Sequence, residues 1–155
     1  MKIAICDDDN SFLQNVKFLI NKVYSNPDKL SIYEYESGEQ FLLQFKPQFF
    51  DVIILDIEMC GITGLEVAEE IRKIDKSVIL AFLTSHQEFA TLGYEVNAFR
   101  YILKNQPEHM FVNHLKSIFD EYHQSHITFP VQASNEIVNI LVSDIPVSYT
   151  HLRAH

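Results

Sequence analysis

Four short apolar runs in this chain each close on a residue with chemistry of its own. Ile3–Cys6 ends in Asp7-Asp8-Asp9, Val52–Leu55 in Asp56, Val78–Leu83 in Thr84, and Phe99–Leu103 in Lys104. Stretches with helical spacing of apolar residues separate the runs, so the pattern reads as successive β–α units around a parallel sheet. Adjacent parallel strands end on one rim. Three carboxylates, a hydroxyl and an ammonium group then meet in one pocket, which is chemistry for a divalent cation and a phosphoryl group.

The expected order begins with strand one at about 2–6, followed by a helix that turns Phe12, Val16, Leu19, Ile20 and Val23 to the core. Strand two, about 30–36, is more polar, as suits an edge. Ser37 and Gln40 form a candidate capping box for a short helix carrying Phe41, Leu42 and Phe45. Strand three is 51–56. The next helix, about 64–74, points Val67, Ala68, Ile71 and Ile74 inward. Strand four is 77–83, with Ser85 and Glu88 as another capping box; strand five is 98–103. The last helix, about 108–124, buries Phe111, Leu115, Ile118, Phe119 and Tyr122. Strands three and four are apolar throughout, which fits strands covered on both faces. The fold class is therefore α/β: a doubly wound five-stranded parallel sheet with helices on both sides, whose ligands sit beyond the strand C-termini.

With 155 residues the chain holds about one domain and a small appendage. Its net charge of −9 argues against nucleic-acid binding by this stretch itself, because phosphate contacts need clustered Lys and Arg. No apolar run approaches the roughly 20 residues that span a bilayer, and the first strand starts at once, leaving no room for a signal peptide. Two cysteines at unrelated positions make no disulfide framework, so a reduced cytoplasmic protein is expected. Beyond Gln124 two short runs, Ile127–Val131 and Ile137–Ile145, read as strands with no partner helix. The last nine residues, from Val147 to His155, resemble one translated frame of a sequencing adapter. The expected organisation is a domain over 1–124, a linker and the opening strands of an incomplete second domain over 125–146, and a non-native tail over 147–155.

Each polar residue also has a plainer reading. Asp7 and Asp8 repel one another and need a shielding cation or water; alone, they fit equally well a solvated turn before a helix N-terminus, where acids are favoured. Asp56 ends an apolar strand before a loop with two glycines and is placed to act as a nucleophile toward a phosphoryl donor. Alone it reads better as a strand-end Asp bonded to loop amides; with Asp8 on the neighbouring strand the functional reading prevails. Thr84 and Lys104 alone are a strand-end hydroxyl and a surface lysine; together they complete a phosphoryl pocket. The seven histidines show no metal-ligand spacing, and only His86 falls near the pocket.

Ile5-Cys6-Asp7-Asp8, Leu55-Asp56-Ile57-Glu58-Met59, Leu83-Thr84-Ser85-His86 and Tyr101-Ile102-Leu103-Lys104 stand in the order and spacing of a known family. Residues 1 to about 122 closely resemble the receiver domain of bacterial two-component response regulators. The resemblance implies a flavodoxin-like sheet of order 2-1-3-4-5, with Asp56 as phosphoacceptor. It implies Mg2+ held by Asp7, Asp8, Asp56 and the backbone carbonyl of Glu58. Thr84 and Lys104 would bind the phosphoryl group, and Tyr101 would be the switch aromatic. A sensor histidine kinase is the implied phosphodonor. The implied homodimer uses the helix four–strand five–helix five face, that is, the segment after strand four, strand five and the last helix.

Phe82–Ala90 and Ala98–Tyr101 resemble most the subfamily carrying a LytTR DNA-binding domain, and Ile127–Ile145 resembles the first strands of that domain. This implies a transcription regulator that reaches DNA only through a C-terminal part absent from this chain. Two positions depart from the family: Cys60 stands where proline is common, and Asn105 follows Lys104 where proline usually follows through a cis bond. A cis bond before a non-proline residue costs about 3 kcal/mol, which leaves the reach of Lys104 open. The alternatives are a haloacid-dehalogenase-like phosphoaspartyl hydrolase, which wants Asp where Glu58 stands, and a stand-alone receiver acting by partner binding.

Overall fold

The computed structural model describes residues 1–133 and 136–141; the expectations for 142–155, the end of the last strand and the tail, lie outside them. Five strands, β1 (Lys2–Cys6), β2 (Ser31–Tyr35), β3 (Val52–Asp56), β4 (Ile79–Thr84) and β5 (Arg100–Leu103), form one parallel sheet of order β2-β1-β3-β4-β5. Every β3 residue is buried, as is every β1 residue after Lys2. Such runs of Val, Ile and Leu are stable only where helices cover both sheet faces. The polar edge strand is β2, whose central residues are half-buried or exposed.

Local chemistry sets the helix starts. Helix α1 (Asn10–Val23) is capped by Asp9, whose side chain accepts from the amides of Ser11 and Phe12. Ser37 caps α2 (Gly38–Gln44) by accepting from Gln40 N. Here the Gln40 side chain reaches Glu36 N rather than Ser37 N, so the box is displaced by one residue. Thr63 and Glu66 form a full capping box on α3 (Gly64–Ile74). α3 buries Val67, Ala68 and Ile71, whereas Ile74, expected to face inward, is 58% exposed. It occupies the final residue of the helix, where the chain turns away toward Asp75.

The segment after β4 also differs from expectation. Residues Gln87–Tyr94 form a 3-10 helix, and its N-cap, His86, makes no side-chain cap bond. The Ser85–Glu88 box does not form; the Glu88 carboxylate lies 3.4 Å from His86 Nδ1 instead. The last helix, α4 (Glu108–Ser125), buries Phe111, Leu115, Ile118 and Phe119, with Tyr122 half-buried.

The chain divides into two compact units, Met1–Ile118 and Phe119 onward. The first contains the five-stranded sheet. The second contains an antiparallel pair, β6 (Thr128–Ala133) with β7 (Glu136–Leu141). No helix among the described residues is long and apolar enough to cross a membrane.

Candidate functional site

Strand register builds the site. Cys6 pairs with Leu55, so Asp7 and Asp56 leave the sheet side by side. Asp56 itself pairs with Leu83, and Thr84 with Leu103, so Thr84 and Lys104 follow along the same rim. Strand order reverses between β1 and β3, and a crevice for ligands opens at such a point. Asp7, Asp8 and Asp56 each offer an oxygen there, all within 4.8 Å of one another. Three hard oxygen donors at that spacing fit a divalent cation.

The loops are tied around these acids. Asp7 Oδ1 accepts from Asp9 N at 2.9 Å, Asp8 Oδ2 from Cys60 N at 3.0 Å, and Asp56 Oδ1 from Glu58 N at 3.2 Å. Behind Asp56 the first turn of α3 presses so close that a Cβ on Gly64 would run into the Asp56 carbonyl, leaving room only for glycine. Asp7 and Asp56 are fully buried or nearly so, while Asp8 is exposed. Lys104 Nζ stands between the buried pair, 2.7 Å from Asp7 Oδ2 and 3.0 Å from Asp56 Oδ2.

Burial first, and the Asp7 charge second, push the Asp56 pKa up to about 7 against the opposing pull of Lys104. A carboxylate raised in this way gains from any cation that enters. Lys104 is raised in turn: its hydrogen bonds and charge pairing with Asp7 and Asp56 outweigh the burial that would lower it. Cys6, beneath the acids, is pushed up to about 12 by burial and then by Asp7, which makes it an inert core thiol.

These features belong together in a known setting. Residues 3–116 match the response regulator receiver domain. The chain belongs to that family. It is 35% identical over 104 residues to the sensory transduction protein LytR of Staphylococcus epidermidis, a match covering 67% of this chain and 40% of that protein. It is 32% identical over 111 residues to the sensory transduction protein LytT of Oceanobacillus iheyensis, covering 70% and 44%. The chain thus spans less than half the length of these curated relatives.

Among solved structures, the response regulatory domain of MrkE from Klebsiella pneumoniae superposes with a TM-score of 0.68 at 28% identity, covering 80% of this chain and 99% of that one. The response regulator TrrA from Thermotoga maritima, in complex with Mg(2+)-BeF, superposes with a TM-score of 0.62 at 29% identity, covering 76% and 97%. Neither the hydrolase nor the stand-alone alternative gains support from these matches.

In this receiver, Asp7, Asp8, Asp56 and Lys104 converge as the sequence predicts. The Lys104–Asn105 peptide is trans, and the ammonium still reaches both buried acids. Thr84 is buried, but its hydroxyl is engaged with its own loop, donating to His86 O at 3.3 Å and accepting from His86 N at 3.0 Å. Tyr101 packs at a ring distance of 6.1 Å from Phe82. Its phenol oxygen is buried with no hydrogen-bond partner of good geometry among the described residues. Burial pushes that phenol up to about 12, against a downward pull from the neighbouring Thr84 hydroxyl. At the mouth, His86 Nε2 lies 3.1 Å from Glu58 Oε1.

Sequence reading missed one pocket residue. Phe12, expected to be core, presents its ring face to Lys104 Nζ at 4.6 Å. Its position three residues after Asp9, just inside a helix that leaves the acid rim, is the signal that was available.

Proposed function

We propose that Asp56 accepts a phosphoryl group in a two-component phosphorelay. The observation that carries this reading is the single ammonium, Lys104, bridging buried Asp7 and Asp56 beside exposed Asp8. An Asp56 oxygen attacks the donor phosphorus. The new aspartyl O–P bond forms as the donor's P–N or P–O bond breaks, and the leaving atom keeps that electron pair. Lys104 and Thr84 bind the phosphoryl oxygens and offset their charge. Asp7, Asp8, Asp56 and the Glu58 carbonyl hold Mg2+, which supplies charge stabilisation for the transferring group.

The switch follows from two groups left incompletely satisfied. The Thr84 hydroxyl is bonded to its own loop, and the buried Tyr101 phenol beside it has no hydrogen-bond partner of good geometry among the described residues. A phosphoryl group on Asp56 draws the Thr84 hydroxyl inward, Tyr101 repacks behind it, and the face made by the β4–β5 segment, β5 and α4 changes shape. Because the new charge binds one state better than the other, this is a population shift.

The donor is a sensor histidine kinase, and the altered face pairs two receivers as a homodimer. The relatives' names, their greater length and the β6–β7 pair support a receiver over 1–124 that governs a LytTR-type output domain beginning within 125–146. On this reading the protein is a cytoplasmic transcription regulator rather than an enzyme, DNA is reached only through that output domain, and 147–155 is a non-native tail. Intact mass after incubation with acetyl phosphate and Mg2+ tests the acceptor. The wild type gains about 80 Da, the mass of one phosphoryl group, and Asp56→Asn gains none; a gain retained in the variant overturns the assignment.

A further inference from the structure

We infer that Phe12 is a positioning residue that holds the Lys104 ammonium over the pocket through phosphoryl transfer, an inference that rests on the receiver reading above. Among the described residues the Lys104 ammonium meets the carboxylates of Asp7 and Asp56 and the face of the Phe12 ring 4.6 Å from its Nζ. The two carboxylates are both drawn into the reaction. An oxygen of Asp7 would be taken up in holding a cation, and an oxygen of Asp56 carries the phosphoryl group as an acyl phosphate. The ring is neutral, so neither a cation nor a phosphate competes for Lys104 there. It remains when the other two partners are engaged.

An aromatic face also suits a group that must move. Hydrogen bonds fix an ammonium in direction, whereas the quadrupole of a ring attracts it over a broad area. Lys104 can therefore shift from Asp56 toward a phosphoryl oxygen without leaving the ring.

The ring itself is fixed from two sides. Its backbone amide donates to Asp9 Oδ1 at 3.2 Å, and Asp9 N donates in turn to Asp7, tying the ring to the acid it faces across Lys104. On the other side Phe111, buried at the start of α4, meets it edge-on with centroids 6.1 Å apart. Phe111 N donates to Pro107 O at 3.2 Å, which ties this brace to the end of the turn that follows Lys104. The lysine is thus aimed by a ring beneath its head.

The experiment compares phosphorylation rates with acetyl phosphate and Mg2+ for the wild type, Phe12→Tyr, Phe12→Leu and a series with one to three fluorines on the Phe12 ring. Fluorination keeps the shape and drains negative charge from the face, which a merely structural ring would not register. Phe12→Tyr should stay near the wild-type rate. Phe12→Leu should slow about fivefold, the worth of a half-buried cation–π contact, and the fluorinated series should slow stepwise. Equal rates in Phe12→Leu and across the fluorinated series overturn the inference while leaving Asp56 as acceptor. No mass gain in the wild type overturns the receiver reading and this inference with it.

Discussion

The acid side of the pocket and the segment between β4 and β5 belong to one sheet but are held very differently. On the acid side β1 and β3 are buried, α1 and α3 start on side-chain caps, and the loops bind back to Asp7, Asp8 and Asp56. Between β4 and β5 the chain runs as an uncapped 3-10 helix, with Leu92 43% and Tyr94 89% exposed. Fixed donors lower the reorganisation needed at the moment of reaction. Elements that respond come from the weakly held end of the structure. A phosphorelay receiver needs both, and here they meet at Thr84 and Lys104.

The largest test of this contrast is the electrostatic cost of the fixed side. Asp56 is raised in the folded protein to about 7 by burial and by Asp7. A carboxyl raised above its unfolded value contributes stability at pH below about 4, and that contribution is lost as pH climbs to about 7. Asp56→Asn removes the titration. The variant should match the wild type near pH 4 and exceed it by on the order of 2–4 kcal/mol at pH 8. Mg2+ should narrow the gap at pH 8 by neutralising the wild-type carboxylates. Thermal unfolding across pH, with and without Mg2+, measures this. A gap independent of pH would show that the acid side carries no such strain.

The weakly held side has one strong tether. Arg72 on α3 donates from Nε to Val96 O at 2.7 Å, from Nη1 to Val78 O at 2.8 Å and Asp75 O at 3.3 Å, and from Nη2 to Asn97 O at 3.2 Å. It thereby pins the return into β5 at Asn97, which adopts a left-handed φ of 52° that asparagine tolerates. Asp75 anchors the other end. Burial pushes its carboxyl up, but bonds from Gln48, Val78 and Ser77 hold it below its ordinary value. Arg72→Met keeps the aliphatic stem and strands the carbonyls, at a cost of about 2–3 kcal/mol. Hydrogen exchange should quicken through residues 87–100 while β1 and β3 stay protected. Loosening spread evenly over the sheet would erase the distinction between the two sides.

The two sides were also unequally legible in the sequence. Strands ending in Asp7, Asp56, Thr84 and Lys104 were visible because a buried parallel strand is an uninterrupted apolar run, and register then brings its last residues together. Arg72 and Asp75 were not visible, since apart from the Ser77 hydroxyl on Asp75 their hydrogen bonds go to backbone groups that any residue supplies. Phe12 was hidden for the opposite reason: a phenylalanine at helical spacing reads as core, and only the fold reveals a cation above its face. Ile74 and the Ser85–Glu88 box misled because local patterns carry weight only where tertiary packing agrees with them. At Glu88 a neighbouring His86 ring offered the carboxylate another partner.

That difference gives the smallest and sharpest test. Thr63 and Ser85 both begin a Ser/Thr-x-x-Glu pattern, one before α3 and one before the 3-10 helix. Thr63 Oγ1 accepts from Glu66 N at 3.2 Å, and Glu66 Oε2 accepts from Thr63 N at 2.7 Å. Thr63→Ala should therefore cost about 1 kcal/mol. Ser85→Ala removes a hydroxyl that caps nothing and should stay within about 0.5 kcal/mol of the wild type. Chemical denaturation of the two variants side by side measures both. A comparable loss at Ser85 would mean that the segment after β4 samples a capped helix in solution, and the weakly held side would then be a helix that melts rather than a chain that never formed one.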